Sequence, residues 1–425
     1  MGFINVLVKQ VLGDPAVLIG LVALAGLIIQ KEKLTKIISG TLKTTIGFLI
    51  IGIGAGAVVG ALSPMGELLQ ATLDVNGVVP NNEAVISIAM EQVGSQGALI
   101  MVGGFVVNLF LARFTNFKYI YLTGHIMLYL SMFFAAVLFS VAGLSGTMLI
   151  VVGSICAGLY FTFMPALTQP FMRKIKGHDN IAFGHTGAIG NVISGWLGNI
   201  FGEDTKDAEE IDLPEGLSFF RDSTVSMAVT MAPIYLILVL LAGPNFVESN
   251  ISGGTNFLVF SLMHGFRFAA GVTVILSGVR MMLAEIVPAF EGISEKVVPG
   301  ARPALDCPII FNDAPTALLM GFLSSTVGTI VGMFILLLAD APTIILPAIV
   351  PAFFAGGSAG IFGNATGGWK GAVFGPFIGG IILSLGTAIL LPMSGMLEQA
   401  GTTFGDPFYA VIGPIFTGFL HLIGG

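Results

Sequence analysis

The sequence predicts an all-α polytopic membrane protein of about eleven transmembrane helices, built from inverted repeats with re-entrant or broken helices. Three observations predict it. Of 425 residues, 55% are hydrophobic and 10% charged, against roughly 25% charged in soluble domains, and mean hydropathy is +0.95. Apolar runs near the roughly 20 residues needed to cross about 30 Å of hydrocarbon recur along the chain. Two stretches, 47–80 and 271–306, break an apolar helix in the same way.

Those two stretches align. Shifted by 224 residues, Gly47 falls on Gly271, Gly54 on Gly278 and Pro64 on Pro288; Val78-Val79-Pro80 then matches Val297-Val298-Pro299, with the second copy five residues shorter. The second copy carries Arg280 and Glu285 in its helix, breaks at Pro288 and turns before reaching Asp306. Irregular backbone at membrane depth survives only where protein buries it or it lines a water-filled cavity. Broken helices at matching positions of two halves point to a transporter-type binding site. A shorter echo sets Phe183-Gly184-His185 against Phe362-Gly363-Asn364, with Thr186-Gly187 and Thr366-Gly367 close behind. The chain is expected to be one integral membrane unit over 1–425, with repeat one about 39–200, an acidic cytoplasmic loop at 202–222 and repeat two about 254–391.

In order, the predicted spans are 11–30, 39–62, 96–113, 119–144, 147–172, 223–243, 254–285, 315–338, 342–365, 371–391 and 408–424. The first follows a stretch whose one basic residue is Lys9, and it reads as a retained helix without a cleavage signal. The segment 183–200, FGHTGAIGNVISGWLGNI, is short, polar and Gly-rich, and is expected to dip into the membrane and return. Lys and Arg set the orientation. Lys31, Lys33 and Lys36, then Arg113 and Lys118, then Arg173, Lys174 and Lys176, and later Lys296, Arg302 and Lys370 mark the cytoplasmic side. The loops at 339–341 and 392–407 carry neither residue and are placed outside, as is the N-terminus. The helix through Gly47 then runs outward and that through Gly271 inward, so the copies are inverted.

Net charge is −7 and no basic face offers itself to nucleic acid. The two cysteines, Cys156 and Cys307, support neither a disulfide framework nor a structural zinc site. No phosphate-binding loop, metal-ligand spacing or nucleophile–base signature occurs, so catalytic residues, metal and cofactors are expected to be none. The acids of 202–222 (among them Glu203, Asp207, Glu209 and Asp222), against Lys206 and Arg221, read first as a solvated loop and second as a docking surface for a soluble partner.

His125, inside a span in the sequence TGHIM, is an ionisable group that must face the bundle interior or a cavity. His185 lies in the re-entrant segment beside Gly184, which lets a ligand approach the backbone. Asp306 reads either as an acceptor for ligand hydroxyls or as a helix cap. His264 and His421 sit near span ends and read as structural, His178 as a solvated loop residue, and Arg280 and Glu285 as a pair neutralising each other.

Five stretches carry a resemblance. LKTTIGFLIIGIGAG (Leu42–Gly56), TGHIM (Thr123–Met127), FGH (Phe183–His185), LPEGLSFFRDSTVS (Leu213–Ser226) and GVRMMLAEIVPAFEGISEKVVPGARPALDC (Gly278–Cys307) resemble the ascorbate-type membrane IIC component of the bacterial phosphotransferase system. The resemblance implies a multi-pass permease of the bacterial inner (cytoplasmic) membrane and a homodimer. Each protomer would have a V-shaped pair of broken-helix motifs and a core domain that moves against the dimer scaffold. It implies a small sugar acid, L-ascorbate, phosphorylated as it emerges by a separate phosphocysteine-bearing IIB protein fed by an upstream IIA component. The implied ligand residues are Gly54, Ala55, His125, Tyr129, His185, Thr186 and Asp306. The family's pattern has Ser at Ala55, Gln at Tyr129, at Thr186 and at Gly187, and an uncharged residue at Asp313, which leaves a related sugar acid or polyol open as substrate. The alternative function is an ion- or proton-coupled secondary transporter of a small polyhydroxy substrate; a membrane-embedded enzyme lacks any motif.

Overall fold

The computed structural model describes residues 15–73, 77–202, 205–211, 222–296 and 298–424; the predicted acidic loop lies outside them at 203–204 and 212–221. In chain order the elements are α1 (Pro15–Ile29), α2 (Leu34–Leu73), α3 (Asn82–Phe114), β1 (Tyr119–Tyr121), α4 (Gly124–Ser140), α5 (Gly146–Lys176), β2 (Ala182–Phe183), α6 (Ala188–Phe201), α7 (Ser223–Ala242), α8 (Pro244–Asn250), α9 (Phe257–Lys296), β3 (Arg302–Leu305), α10 (Pro315–Leu338), α11 (Gly357–Met393) and α12 (Pro407–Gly424).

Among the described residues six helices are long and apolar enough to cross a membrane, or seven if α7 and α8, bent by 98° at their junction, are one span. The sequence had suggested about eleven. Three expected spans are shorter apolar helices, Ile19–Ile29, Gly124–Ser140 and Pro407–Leu422. The expected span 119–144 is shortened because its first residues are extended strand β1. The expected spans 342–365 and 371–391 fall largely in one helical run, 349–393.

That run is not straight. Gly367 and Gly368 leave helical geometry, Gly368 at φ +55°, a region glycine enters freely. A Cβ on Gly363 would overlap the carbonyl oxygen of Gly371, and one on Gly371 that of Gly363. Eight residues of straight helix would hold them about 12 Å apart. The chain therefore folds back at Gly367–Gly368, and α11 is a hairpin of two helices. Helix α6 packs along it, with Gly202 against Gly367 at the tip.

Helices α2 and α9, 40 residues each, cross in close contact and antiparallel. A Cβ on Gly54 would lie 2.6 Å from the Ile275 nitrogen and 2.8 Å from the Gly271 oxygen; one on Gly47 would lie 2.7 Å from the Met282 nitrogen and 3.0 Å from the Gly278 oxygen. Small residues let membrane helices approach this closely. One hydrophobic cluster gathers α2, α7, α9 and α10, and a second gathers α3, α4, α5 and α12. The pairing expected of Arg280 with Glu285 gives way to another: Glu285 accepts from Lys43 at 3.0 Å, across the α2–α9 contact. The five-residue Arg280–Glu285 spacing is too long for neighbours on one helix face.

The described part of the acidic loop is a strap and not a freely solvated segment. Asp207 accepts from Asn364 Nδ2 at 2.9 Å, the Lys206 carbonyl from Trp369 N–H at 3.0 Å, and Glu209 from the N–H groups of Thr316 and Ala317 at 2.8 and 3.0 Å. It ties the α11 hairpin tip to the start of α10.

Candidate functional site

Three short strands organise the site. They form a parallel sheet in the order β1-β3-β2, with Tyr121 and Ala182 both in register with Ala304. Parallel strands end on the same side, so the residues that follow them converge. His125 stands at the start of α4 after β1, His185 follows β2, and Asp306 follows β3. Residues separated by up to 181 positions of sequence meet for this reason.

Asp306 lies between the two imidazoles. Its Oδ2 is 3.6 Å from His125 Nε2 and its Oδ1 3.9 Å from His185 Nε2. Both distances exceed a direct hydrogen bond. His185 Nδ1 accepts the Gly187 N–H at 2.9 Å, so the neutral ring carries its proton on Nε2 and presents a donor. The Tyr160 hydroxyl donates to the His185 carbonyl at 3.1 Å and holds the segment. Asp306 also caps the turn Cys307–Ile310, its Oδ1 accepting the Cys307 N–H at 2.7 Å. The cap reading of Asp306 is thus present in the structure, and the carboxylate also lines a cavity.

His185, Asp306 and Cys307 are the one trio of potential metal ligands among the described residues, with candidate atoms within 4.8 Å. The donor set does not fit a metal as arranged. Coordination through His185 Nε2 would move the proton to Nδ1, against the Gly187 N–H.

A cavity of about 570 Å³ opens beside the carboxylate. Of the expected residues, Ala55, His125, Tyr129, His185 and Asp306 line it. Gly54 and Thr186 do not: Gly54 faces α9, and Thr186 is fully buried with its carbonyl accepting from Phe408 N–H at 3.0 Å. Gly52 lines the wall instead of Gly54. The His125 and Tyr129 rings meet edge to face, 6.0 Å between centroids. The rest is largely apolar, with Ile51, Val59 and Ile126 among the walls.

One polar part of the lining was missed in the sequence. Asn82 and Asp406 form it; Asn82 donates to Asp406 at 2.8 Å and accepts from the Gly405 N–H at 2.8 Å. They too follow extended segments, where Val78 pairs parallel with Ile345 and Asn81 N–H donates to the Thr403 carbonyl at 2.8 Å. The one sequence signal was Val78-Val79-Pro80, which stands ahead of Asn82 as Val297-Val298-Pro299 stands ahead of Asp306. The other histidines sit apart: His264 is buried with Nδ1 2.9 Å from the Phe260 carbonyl, His421 reaches the Met393 carbonyl at 3.2 Å, and His178 is exposed.

Residues 10–407 match the model of a family described as phosphotransferase-system sugar-specific permease components, EIIC-GAT. A curated relative, the "Ascorbate-specific PTS system EIIC component" of Mycoplasma pneumoniae, is 27% identical over 429 aligned positions, covering 89% of this chain. The chain spans 65% of that relative's length.

Proposed function

The chain belongs to the family of sugar-specific permease components of the phosphotransferase system, and from that premise we propose that it carries a small sugar acid, L-ascorbate first, across the membrane to a phosphorylating IIB partner. The observation that carries the reading is the wall His125–Asp306–His185. Two imidazoles flank a carboxylate at 3.6 and 3.9 Å, just beyond direct bonding, in a largely apolar cavity whose other polar groups include Asn82 and Asp406. A ligand hydroxyl entering there accepts from an imidazole and donates to the carboxylate. A polyhydroxy ligand offers hydroxyls that fit the gaps of 3.6 and 3.9 Å between Asp306 and the two imidazoles. An anionic ligand keeps its charge toward the imidazole donors and away from Asp306. The ascorbate relative supports the substrate class.

We read the spans as eleven, counting α7 with α8 as one, α11 as two, and the three shorter apolar helices as crossing. The inverted repeat draws support from the α2–α9 contact. Gly47 meets Gly278 and Gly54 meets Gly271, the reciprocal pattern that a two-fold relation between the aligned pairs requires. In this reading the protein is a homodimer of the bacterial inner membrane, served by IIB and an upstream IIA component.

The test is uptake of labelled L-ascorbate into vesicles supplied with phosphoenolpyruvate and the soluble phosphotransferase proteins. Internal label is expected as the phosphorylated product, and removal of IIB is expected to abolish its accumulation. Accumulation of unmodified ascorbate that collapses with a proton uncoupler would replace this reading with the ion-coupled one.

A further inference from the structure

The main cavity is one of three spaces in a row. Beyond Asp306 a void of about 10 Å³ shares Phe48, Ile51, Asp306 and Pro308 with the cavity and adds Met282 and Ile309. It is at the limit of what one water needs, and apart from Asp306 and Thr123 its lining is apolar. Beyond it, Ile309 also lines a third space of about 520 Å³, open to the surface between α9, the end of α5 and the 309–312 turn. That outer space has an apolar wall on α9, including Leu283 and Val287, and a rim of Lys176, His178 and Arg280. Among the described residues no hydrogen bond or ion pair is recorded for the exposed Arg280.

We propose that the substrate leaves the binding cavity toward the cytoplasm through the apolar constriction of Phe48, Ile51, Met282 and Ile309, into the vestibule rimmed by Lys176, His178 and Arg280. The proposal rests on the permease reading and adds a route and a gate to it. Lys176 and His178 belong to the basic cluster that the positive-inside pattern places in the cytoplasm. Arg280 gives the rim a cation that suits an anionic sugar acid, and still more a phosphorylated one, where an acidic rim would repel the emerging charge; Lys176 is already paired with Asp313. The constriction lies along the seam between α2–α9 and the turn Cys307–Ile310, so its width changes whenever these shift. The turn is held from the vestibule side: Lys176 Nζ donates to the Ile309 carbonyl at 2.7 Å and to Asp313 Oδ2 at 2.5 Å. The same turn begins at Cys307, whose N–H bonds Asp306. One cation thus steadies both the gate residue Ile309 and the ligand-facing carboxylate.

The experiment uses Met282→Cys, and separately Ile309→Cys, in the full chain reconstituted in vesicles, with the parent and its own two cysteines as control. A membrane-impermeant methanethiosulfonate is applied from either face, and its modification is quantified by mass. Reaction from the cytoplasmic face is expected to be at least tenfold faster at both positions. It is expected to cut L-ascorbate uptake at least tenfold while equilibrium L-ascorbate binding stays within twofold, with reductant restoring uptake. Faster modification from the outer face, or full modification that leaves uptake unchanged, overturns the route. A parent that neither binds nor accumulates L-ascorbate overturns the substrate reading instead, and the sidedness of modification still decides the route. Because the plug is added after folding, a folding defect cannot mimic the loss.

Discussion

Asp306 does two things with one carboxylate: it caps the turn after β3 through the Cys307 N–H and faces two histidines across a gap of 3.6–3.9 Å. Two substitutions separate these. Asp306→Asn retains an acceptor oxygen for the cap but turns half of the group into a donor that opposes His125 and His185. Asp306→Ala removes both roles. If the ligand role operates, both variants bind L-ascorbate at least roughly tenfold more weakly, about 1.4 kcal/mol, and Asp306→Ala alone also loses about 1 kcal/mol of stability from the cap. His125→Ala and His185→Ala are expected to match the tenfold loss; His421→Ala, outside the cavity, serves as control. An Asp306→Asn variant that binds like the parent reduces the residue to a cap. These three residues were legible in the sequence because an ionisable group in an apolar run stands out by its cost. Asn82 and Asp406 were not. Asp406 sits in a Gly-Asp-Pro turn, where a carboxylate is ordinary, and nothing in local pattern places it in one cavity with Asp306.

The elements that deliver these residues are short strands, and a clamp at their N-terminal end secures them. Asp179, between α5 and β2, accepts from Arg173 at 2.8 and 3.1 Å and from Gln169 at 2.7 Å, and pairs with the Arg302 guanidinium at the head of β3. Arg302 Nε also donates to the Asp179 carbonyl at 2.6 Å. Partial burial raises the Asp179 pKa, but the hydrogen bonds from Arg173 and Gln169 and the two guanidinium charges outweigh it and hold the carboxyl below its ordinary value. A depressed folded pKa means the unfolded chain takes up the proton first as pH falls. The clamp's contribution is therefore full above the unfolded value of about 3.9 and is lost as pH drops through the folded one. Asp179→Asn is expected to lower stability by about 1 kcal/mol at neutral pH, a modest figure because the network is partly exposed. The deficit should vanish in strong acid. Denaturation midpoints of parent and variant against pH check this, and a deficit that persists unchanged at acid pH would remove Asp179 ionisation as its source. Strands of two to four residues leave no alternation for a sequence pattern to catch, which is why the expected span 119–144 absorbed β1.

At the scale of the molecule, the glycine repeat was legible because close helix contact demands small side chains at fixed intervals, and Gly47, Gly54, Gly271 and Gly278 all stand at the α2–α9 crossing. The hairpin in α11 was legible as two apolar runs, 342–365 and 371–391, which the non-helical Gly367–Gly368 separates. Its fold-back fixes a test of topology. The strap 205–211 sits on the hairpin tip through Lys206 and Asp207, so strap and tip share one membrane face. From Gly368 the second arm runs to Met393, about 37 Å at 1.5 Å per residue, long enough to cross about 30 Å of hydrocarbon. Residues after Met393 should then lie on the opposite face from the strap. The informative positions are exposed ones, Glu210 on the strap and Glu398 beyond the second arm; Ala208, 2% exposed, would stay unlabelled on either face. In intact cells an impermeant thiol reagent is expected to label Glu398→Cys and to reach Glu210→Cys only after the membrane is opened. Labelling of both positions from outside would mean that the second arm of α11 does not cross, and the inverted arrangement of the two halves would fall with it.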